Sequence, residues 1–293
     1  MTRRTFSFQI ATTLAATFGL SGQNAPARKL KIGHTGITWA NDSEQAVKDI
    51  SGLGYHGFET FGEVLETWDK RGGLREILDA HHLPLISGYC TFNMVDPTKR
   101  KDELARMALW GGLIKKNGGS VSVLGPNGVP RASYDFASNK AAIVGSLNEC
   151  GKMLTNMGLT PALHQHTGTC IETRDEVYAV LDAVDTRYVK FGPDIGQLQK
   201  GGSDPVQVVK DYLPLIRHMH LKDYDGGPNY AGYCPLGRGK VNIPAILDLV
   251  EKGDMKGMVM VELDSSRTMP IPPGETARIS QEYLQKLGYT FRT

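Results

Sequence analysis

Two pairs of histidines have the spacing that places both imidazoles on one face of a β-strand. His164 and His166 form one H-x-H pair, and His218 and His220 form the other, which continues to Lys222. Because side chains alternate along a strand, the members of each pair project to the same side. Imidazole is a common metal ligand and a proton carrier near neutral pH. The two pairs are therefore candidates for metal binding or acid–base chemistry.

Acidic residues follow other short apolar runs in the same way. Asp194 and Glu262 each come directly after such a run. A lone Asp there is usually a helix cap, and a lone H-x-H pair is usually hydrogen-bonded within the protein, but together these residues indicate more. Imidazole with carboxylate suits Mn²⁺, Co²⁺, Fe²⁺ or Zn²⁺, and carboxylate also suits Mg²⁺. We expect His164, Asp194, His220 and Glu262 to converge on one divalent ion.

Short apolar runs alternate with longer segments of helical period, and this pattern predicts the elements that hold these residues. Eight strands alternating with about eight helices over ~250 residues predict a single (β/α)₈ TIM barrel of the α/β class. A doubly wound sheet is the alternative, but no G-x-G-x-x-G follows the first strand. In a parallel barrel the active site forms at the carboxyl ends of the strands, where the polar residues fall. The predicted strands are Leu30–Thr35, Gly57–Thr60, Leu85–Tyr89, Val121–Leu124, Thr160–His166, Val189–Asp194, Ile216–Lys222 and Met258–Leu263.

Capping residues mark several predicted helix ends. Thr173 and Glu176 have the spacing of a capping box, and Asp204-Pro205 places a carboxylate before a proline at the first helical position. Glycines such as Gly118 and Gly158 are suited to ending helices in the left-handed conformation.

The first 27 residues have the layout of an export signal. Arg3 and Arg4 precede a modestly apolar stretch, Phe8–Leu20, and then a small-residue segment. This order is typical of a secretory signal, and the paired arginines resemble the twin-arginine type. We expect residues 1–27 to be a twin-arginine-type export signal, residues 28–293 to form the barrel, and the protein to be periplasmic. A frayed helical tail or a mitochondrial presequence is the alternative.

Composition excludes several classes of protein. The chain has 293 residues, 40% of them hydrophobic and 22% charged, with a formal net charge of +2. This even balance argues against a nucleic-acid-binding surface. No apolar run approaches the ~20 residues needed to span a bilayer, so no stable membrane anchor is expected. The expected partner is a small molecule, and an oligomer remains open.

Five segments together resemble the xylose-isomerase-like TIM-barrel superfamily, most closely inosose dehydratase and its relatives. The resemblance runs in order over nearly the whole chain after the signal and implies the same barrel fold. The segments are Leu163–Thr169, Phe191–Gln197, Arg217–Asp223, Pro235–Gly239 and Val261–Glu262.

The resemblance also implies a metal site, with two departures. In the ketose-epimerase branch a Glu, an Asp, a His and a Glu on strands 5 to 8 hold a divalent metal. Asp194, His220 and Glu262 match the last three positions, whereas His164 stands where epimerases have a catalytic Glu. Gln197 stands where the family usually has a His. The loss of the strand-5 Glu puts symmetric two-carboxylate epimerisation in doubt.

The chemistry that follows is proton abstraction next to the carbonyl of a keto-sugar or keto-cyclitol. The metal would stabilise the enolate, and the reaction would end in dehydration or in epimerisation. The strand-5 histidines slightly favour elimination. Glu262, His166 and Lys222 are the candidate catalytic residues. A nearby divalent cation should lower the pKa of Lys222 and favour the neutral amine, and the alternative is a salt bridge to Asp223 or to a carboxylate such as Glu59.

Four further residues are candidates for binding the substrate: Glu59, Gln197, His218 and Arg238. Arg238 is flanked by glycines, so a solvated side chain is an equal alternative. A second function from another class is a non-catalytic, exported sugar-binding barrel, which the departures from the family pattern would motivate. An endonuclease-IV-like activity would need several metals and a basic DNA-binding face, and the near-neutral charge argues against it.

Overall fold

The computed structural model of the protein describes residues 28–40, 42–265 and 269–293, so the predicted export signal lies outside the described residues. Eight parallel strands form one sheet, in the order β6-β5-β4-β3-β2-β1-β10-β7. They are β1 (Ile32–Thr35), β2 (Phe58–Phe61), β3 (Leu85–Phe92), β4 (Val121–Pro126), β5 (Thr160–Leu163), β6 (Lys190–Phe191), β7 (Met219–Leu221) and β10 (Val259–Val261).

The two edge strands of this sheet meet and close it into a barrel. Parallel bridges join Phe191 to Ile216 and Asp194 to His220. The backbone N–H of His220 also donates to the carbonyl of Pro193 at 2.9 Å. Strand pairing therefore continues around the ring, and the predicted (β/α)₈ barrel is confirmed.

Helices cover the outside of the barrel because their apolar faces pack against the strands. The sequence pattern did not show that two helices follow β2 and that two helices follow β6. It also missed a short antiparallel hairpin, β8 (Asp223–Tyr224) with β9 (Tyr233–Cys234), after β7. The helices are α1 (Ser43–Gly52), α2 (Gly62–Asp69), α3 (Arg75–Ala80), α4 (Arg100–Lys116), α5 (Phe136–Asn156), α6 (Arg174–Leu181), α7 (Ile195–Lys200), α8 (Pro205–Tyr212), α9 (Ile243–Lys252) and α10 (Pro273–Lys286).

The strands are buried on both faces, as expected for a parallel sheet covered by helices. All residues of β4, β7 and β10 are buried. Close approach of helix to sheet needs a small residue in β3, where a Cβ at Gly88 would lie 2.6 Å from the side chain of Ile114 in α4. None of the helices in the described residues is long and apolar enough to cross a membrane.

The predicted caps are present. The Thr173 hydroxyl accepts from the backbone of Glu176, whose carboxylate accepts from the backbone of Thr173, so the capping box is confirmed. Asp204 caps α8 ahead of Pro205. Gly158 ends α5 with φ of 81°, in the left-handed region that favours glycine.

Candidate active site

A cavity of about 250 Å³ opens among the carboxyl ends of the barrel strands. This volume is slightly below the roughly 300–1,000 Å³ of sites for drug-sized ligands, so it suits a small substrate. One part of the wall is apolar, and the other carries carboxylates and imidazoles. The lining residues are Thr35, Ile37, Glu59, Thr60, Phe61, Tyr89, Thr91, Pro126, His164, His166, Thr169, Glu262 and Asp264.

Four neighbouring strands bring the predicted metal ligands together beside this cavity. His164, Asp194 and Glu262 each follow directly after a strand, and His220 lies within β7. One donor atom from each of His164, Asp194 and His220 lies within 4.8 Å of the others. The fourth residue, Glu262, contacts Nδ1 of His220 through Oε2. All four side chains are buried. The structure thus gathers residues that lie almost 100 positions apart in the sequence.

The hydrogen bonding of these residues fits a metal ion. Nδ1 of His164 is buried and has no hydrogen-bond partner. Oδ2 of Asp194 and Nδ1 of His220 have charged neighbours, Nζ of Lys222 and Oε2 of Glu262. Buried polar atoms are normally paired, so the free nitrogen of His164 beside these charged groups needs an explanation. A cation bound among these side chains would provide one. Nitrogen and carboxylate donors of this kind suit a first-row divalent ion.

Asp194 serves the helix and the site with different oxygens. Its Oδ1 accepts from the backbone N–H of Gln197 at 2.9 Å and caps α7. Its Oδ2 faces the other candidate ligands, 4.0 Å from Nε2 of His164. The cap fixes the orientation of the carboxylate. The helix-cap interpretation of Asp194 is therefore correct, and it is compatible with a ligand role.

Lys222 is the central cation of the site. Its Nζ lies 3.0 Å from Oδ2 of Asp194, 2.6 Å from Oε1 of Glu262 and 2.9 Å from Oδ1 of Asp264. The ring of Tyr233 covers the ammonium, with its centroid 4.6 Å from Nζ. The salt-bridge alternative is therefore correct in kind, although the partners are neither Asp223 nor Glu59.

The predicted lowering of the Lys222 pKa concerns a site with a bound divalent ion, and it stays a prediction. Among the protein's own groups, burial alone would lower the pKa, but the charges of Asp194, Asp264 and Glu262 outweigh it and raise the pKa well above the usual value of a lysine. These contacts favour the ammonium form of Lys222, which is not the neutral amine that general-base catalysis requires.

The two central imidazoles differ in charge. Burial and the neighbouring His220 lower the pKa of His164 well below its usual value, so this ring is neutral and keeps a lone pair. Burial also acts to lower the pKa of His220, but the carboxylates of Glu262 and Glu59 raise it well above the usual range. A metal ion at Nδ1 of His220 would replace the proton that this nitrogen otherwise carries.

Glu59 contacts both His218 and His220. The Nε2–H of His220 donates to Oε1 of Glu59 at 2.6 Å, and Nε2 of His218 lies 2.8 Å from Oε2. The hydroxyl of Ser87 donates to the same Oε2. Burial would raise the pKa of Glu59, but the two imidazoles lower it far below its usual value. Glu59 is therefore ionised.

His166 lines the cavity, and both of its ring nitrogens have partners. Nδ1 lies 2.7 Å from the carbonyl oxygen of Thr167, to which it donates, and Nε2 lies 2.7 Å from Nε2 of Gln197, from which it accepts. Gln197 accepts the backbone N–H and hydroxyl of Thr167 through Oε1. Gln197, which the sequence indicated as a substrate-binding residue, therefore orients His166 and does not line the cavity.

Two other predicted substrate-binding residues also lie away from the cavity wall. His218 is fully buried beneath Glu59, and Arg238 is exposed on the loop after the β8–β9 hairpin. Asp223 holds that loop, accepting from the backbone N–H groups of Gly237 and Gly239 at 3.0 Å and 2.9 Å. Among the four predicted substrate-binding residues, the structure brings only Glu59 to the cavity.

Sequence reasoning assigned no role to Tyr89 or Asp264 in this cavity. The ring of Tyr89 packs edge-on against His164 with centroids 5.1 Å apart and stacks on His220 at 6.2 Å. Burial raises the pKa of Tyr89, so its hydroxyl keeps its proton. The signal for Asp264 was its position two residues after Glu262 at a strand end, on the same side as Glu262.

A known protein family matches most of the chain. The sequence profile of the xylose isomerase-like TIM barrel family matches residues 47–287. The chain belongs to this family. Inosose dehydratase of Clostridium beijerinckii is 22% identical over 297 residues, covering 89% of this chain and 98% of that protein.

Solved structures of other proteins share the fold. The zinc-bound structure of the IOLI protein superposes with a TM-score of 0.73 at 17% identity, covering 88% of this chain and 98% of that one. The 3-keto-D-glucoside 4-epimerase of E. coli gives 0.69 at 16% identity, covering 88% and 99%. At these identities the likeness establishes the fold alone.

Proposed function

We propose that this member of the family is a divalent-metal-dependent lyase or isomerase acting on a keto-sugar or keto-cyclitol. It removes a proton next to the substrate carbonyl, and dehydration is the favoured outcome over epimerisation. The observation that carries the proposal is the group of buried donor atoms on His164, Asp194 and His220, within 4.8 Å of one another, beside a cavity lined by carboxylates. The curated relatives named as inosose dehydratases support the same class of chemistry.

The residues that would hold the ion are His164, Asp194, His220 and Glu262. When bound there, a divalent ion acts as a Lewis acid that stabilises an enolate. The identity of the ion is left open among Mn²⁺, Co²⁺, Fe²⁺, Zn²⁺ and Mg²⁺. Charge balance supports the proposal, since three carboxylates, on Asp194, Glu262 and Asp264, surround the single ammonium of Lys222.

Within this site, Glu262 is the residue that accepts the substrate proton. It lines the cavity, and although burial would raise its pKa, the charges of His220 and Lys222 lower it well below the usual value. The carboxylate is therefore ionised before substrate binds. Lys222 holds Glu262 and Asp264 in place through its ammonium, and it does not carry the proton.

Two other side chains on the cavity wall act on the substrate oxygens. The protonated hydroxyl of Tyr89 donates a hydrogen bond. If water is lost, Nε2 of His166, which accepts from Gln197, must first take up a proton, and it then gives that proton to the leaving hydroxyl. Because Nε2 of His166 is engaged by Gln197, the substrate must displace that hydrogen bond. The apolar residues Ile37 and Phe61 exclude water from the carbon face of the ring.

Solvent deuterium exchange tests this function. The protein is incubated in D₂O with a panel of 3-keto-sugars and inososes, and NMR follows deuterium appearing next to the carbonyl. We expect exchange with the wild type and a loss of at least tenfold with Glu262→Gln. Saturable substrate binding with no exchange in the metal-loaded wild type would support the non-catalytic sugar-binding alternative instead.

We also propose that the protein is exported to the periplasm through residues 1–27. The support is the order of the cationic, apolar and small-residue parts of that segment. Cell fractionation of the full chain and of a variant with Arg3→Lys and Arg4→Lys tests it. Export predicts periplasmic protein for the wild type and retention for the variant, and equal distribution would contradict it.

A further inference from the structure

We infer that Glu59 is a positioning residue that fixes the orientation and tautomer of His220 for metal binding. This inference rests on the proposed function, because it takes His220 as a metal ligand. The sequence suggested instead that Glu59 binds substrate. Its contacts are instead with His218 and His220.

The two ring nitrogens of His220 have different contacts. Nε2–H donates to Oε1 of Glu59 at 2.6 Å, whereas Nδ1 contacts Oε2 of Glu262, another candidate ligand. A histidine that binds a metal typically donates its other ring N–H to a carboxylate, which fixes the tautomer and raises the basicity of the ligating nitrogen. Glu59 is placed to do this for His220.

Glu59 is itself fixed by contacts with neighbouring side chains. It extends from β2 toward β7, and two strands, β1 and β10, separate these in the sheet. Ser87 on the adjacent strand β3 donates to Oε2, and Nε2 of His218 lies 2.8 Å from the same oxygen. Glu59 is only 2% exposed. A carboxylate fixed by three contacts has little freedom to rotate, so it also fixes the orientation of the His220 ring.

An alternative use of the same residues is a second metal site, because donor atoms of Glu59, His218 and His220 also lie within 4.8 Å of one another. However, Oε1 of Glu59 already accepts from His220, and Oε2 already accepts from Ser87. A metal here would have to remove the proton that makes the His220 hydrogen bond. We therefore assign Glu59 the role of orienting His220. The number of ions bound per chain distinguishes this role from a second metal site.

The test compares Glu59→Gln with Glu63→Gln, a matched change at an exposed residue of α2. Metal-free protein is titrated with Zn²⁺ alone by calorimetry, and thermal unfolding checks the fold. We expect one ion per chain in the wild type, an affinity about 10–100-fold weaker in Glu59→Gln, and no change in Glu63→Gln. A folded Glu59→Gln with wild-type affinity would overturn the inference, as would two ions in the wild type and one in the variant.

A second readout does not depend on affinity. In the Zn²⁺-loaded wild type, NMR of the imidazole nitrogens should show a slowly exchanging proton on Nε2 of His220. Glu59→Gln should lose this slow exchange. If that variant does not fold, Ser87→Ala keeps the carboxylate but removes one of its supports, and it should accelerate the exchange. An unchanged Nε2 signal in the folded variant would overturn the inference.

These outcomes separate this inference from the proposed function. A wild type that binds Zn²⁺ and exchanges substrate protons, together with a Glu59→Gln variant that binds Zn²⁺ equally well, contradicts only the role of Glu59. A wild type that binds Zn²⁺ but exchanges no substrate proton, with weakened binding in Glu59→Gln, contradicts only the proposed reaction. A wild type that binds no divalent ion contradicts both.

Discussion

The ammonium of Lys222 lies 3.0 Å from Oδ2 of Asp194, and both side chains are fully buried. This oxygen belongs to the same set of donor atoms that would face a metal ion. Lys222 therefore keeps the carboxylates from repelling one another and fixes their positions. The pair also shows why the lysine remains charged, since losing its proton would leave several carboxylates buried without a counter-ion.

Replacement of Lys222 by Met should destabilise the protein by about 3–5 kcal/mol, because it breaks a buried ion pair and leaves the carboxylates uncompensated. Thermal unfolding measures the effect. Added Mn²⁺ should recover part of the lost stability, since a divalent cation supplies the missing charge. The control is Lys210→Met at an exposed position of α8, which should change little. Equal melting temperatures for the two variants would contradict the central role of Lys222.

Gly196→Ala should disturb Lys222 without changing any charge. A Cβ at this position in α7 would lie 2.7 Å from Cγ of Lys222, which is too close for ordinary contact. We expect slower substrate proton exchange and a lower melting temperature, because the aliphatic part of the Lys222 side chain must shift. Gly112→Ala in α4 is the matched control, because its Cβ would meet no atom within 4 Å. That change should stabilise the protein by about 0.5–1 kcal/mol. Parallel behaviour of the two variants would show that the Gly196 contact has no consequence.

His34 should make the fold sensitive to acid. Burial lowers the pKa of His34 to about 4, and its ring packs edge-on against Trp39 and Tyr55. Unfolding restores a pKa near 6.5, so at intermediate pH the unfolded state binds a proton at His34 and the folded state does not. Stability should fall as the pH drops from about 6.5 to about 4, by up to roughly 3 kcal/mol.

The measurement compares urea unfolding of the wild type and His34→Phe between pH 7 and pH 4. Phenylalanine keeps the ring contacts but cannot be protonated. We expect a shallower loss of stability with falling pH in the variant. Curves that run parallel through this range would mean that another group causes the acid sensitivity.

The fold was accessible from the sequence because its pattern is local. Each strand is a short apolar run, and caps such as Thr173 and Asp204 depend on neighbours two or three residues away. The convergence of His164, Asp194, His220 and Glu262 was also predictable, since a parallel barrel brings its strand ends together. The split of the segments after β2 and β6 into two helices each was missed, although Gly72-Gly73 and Gly201-Gly202 interrupt these segments and Gly72, Gly73 and Gly202 adopt positive φ.

The electrostatics of the site depended on distances that the sequence does not contain. A bound divalent ion was expected to lower the pKa of Lys222, whereas the carboxylates around the lysine raise it, and their effect depends on which of them lies within 3 Å. Similarly, Ser87 and Tyr89 sit within a strand that carries no signal of metal or acid–base chemistry. Only the pairing of β2 with β3 brings Ser87 next to Glu59.

Elemental analysis of the purified protein tests the central claim most directly. Metal content is measured in the wild type, Asp194→Ala and Glu262→Ala, with circular dichroism as the check that each barrel folds. We expect about one divalent ion per wild-type chain and a marked loss of metal in both variants. Full metal content in both folded variants, or none in the wild type after incubation with each candidate ion, would contradict it.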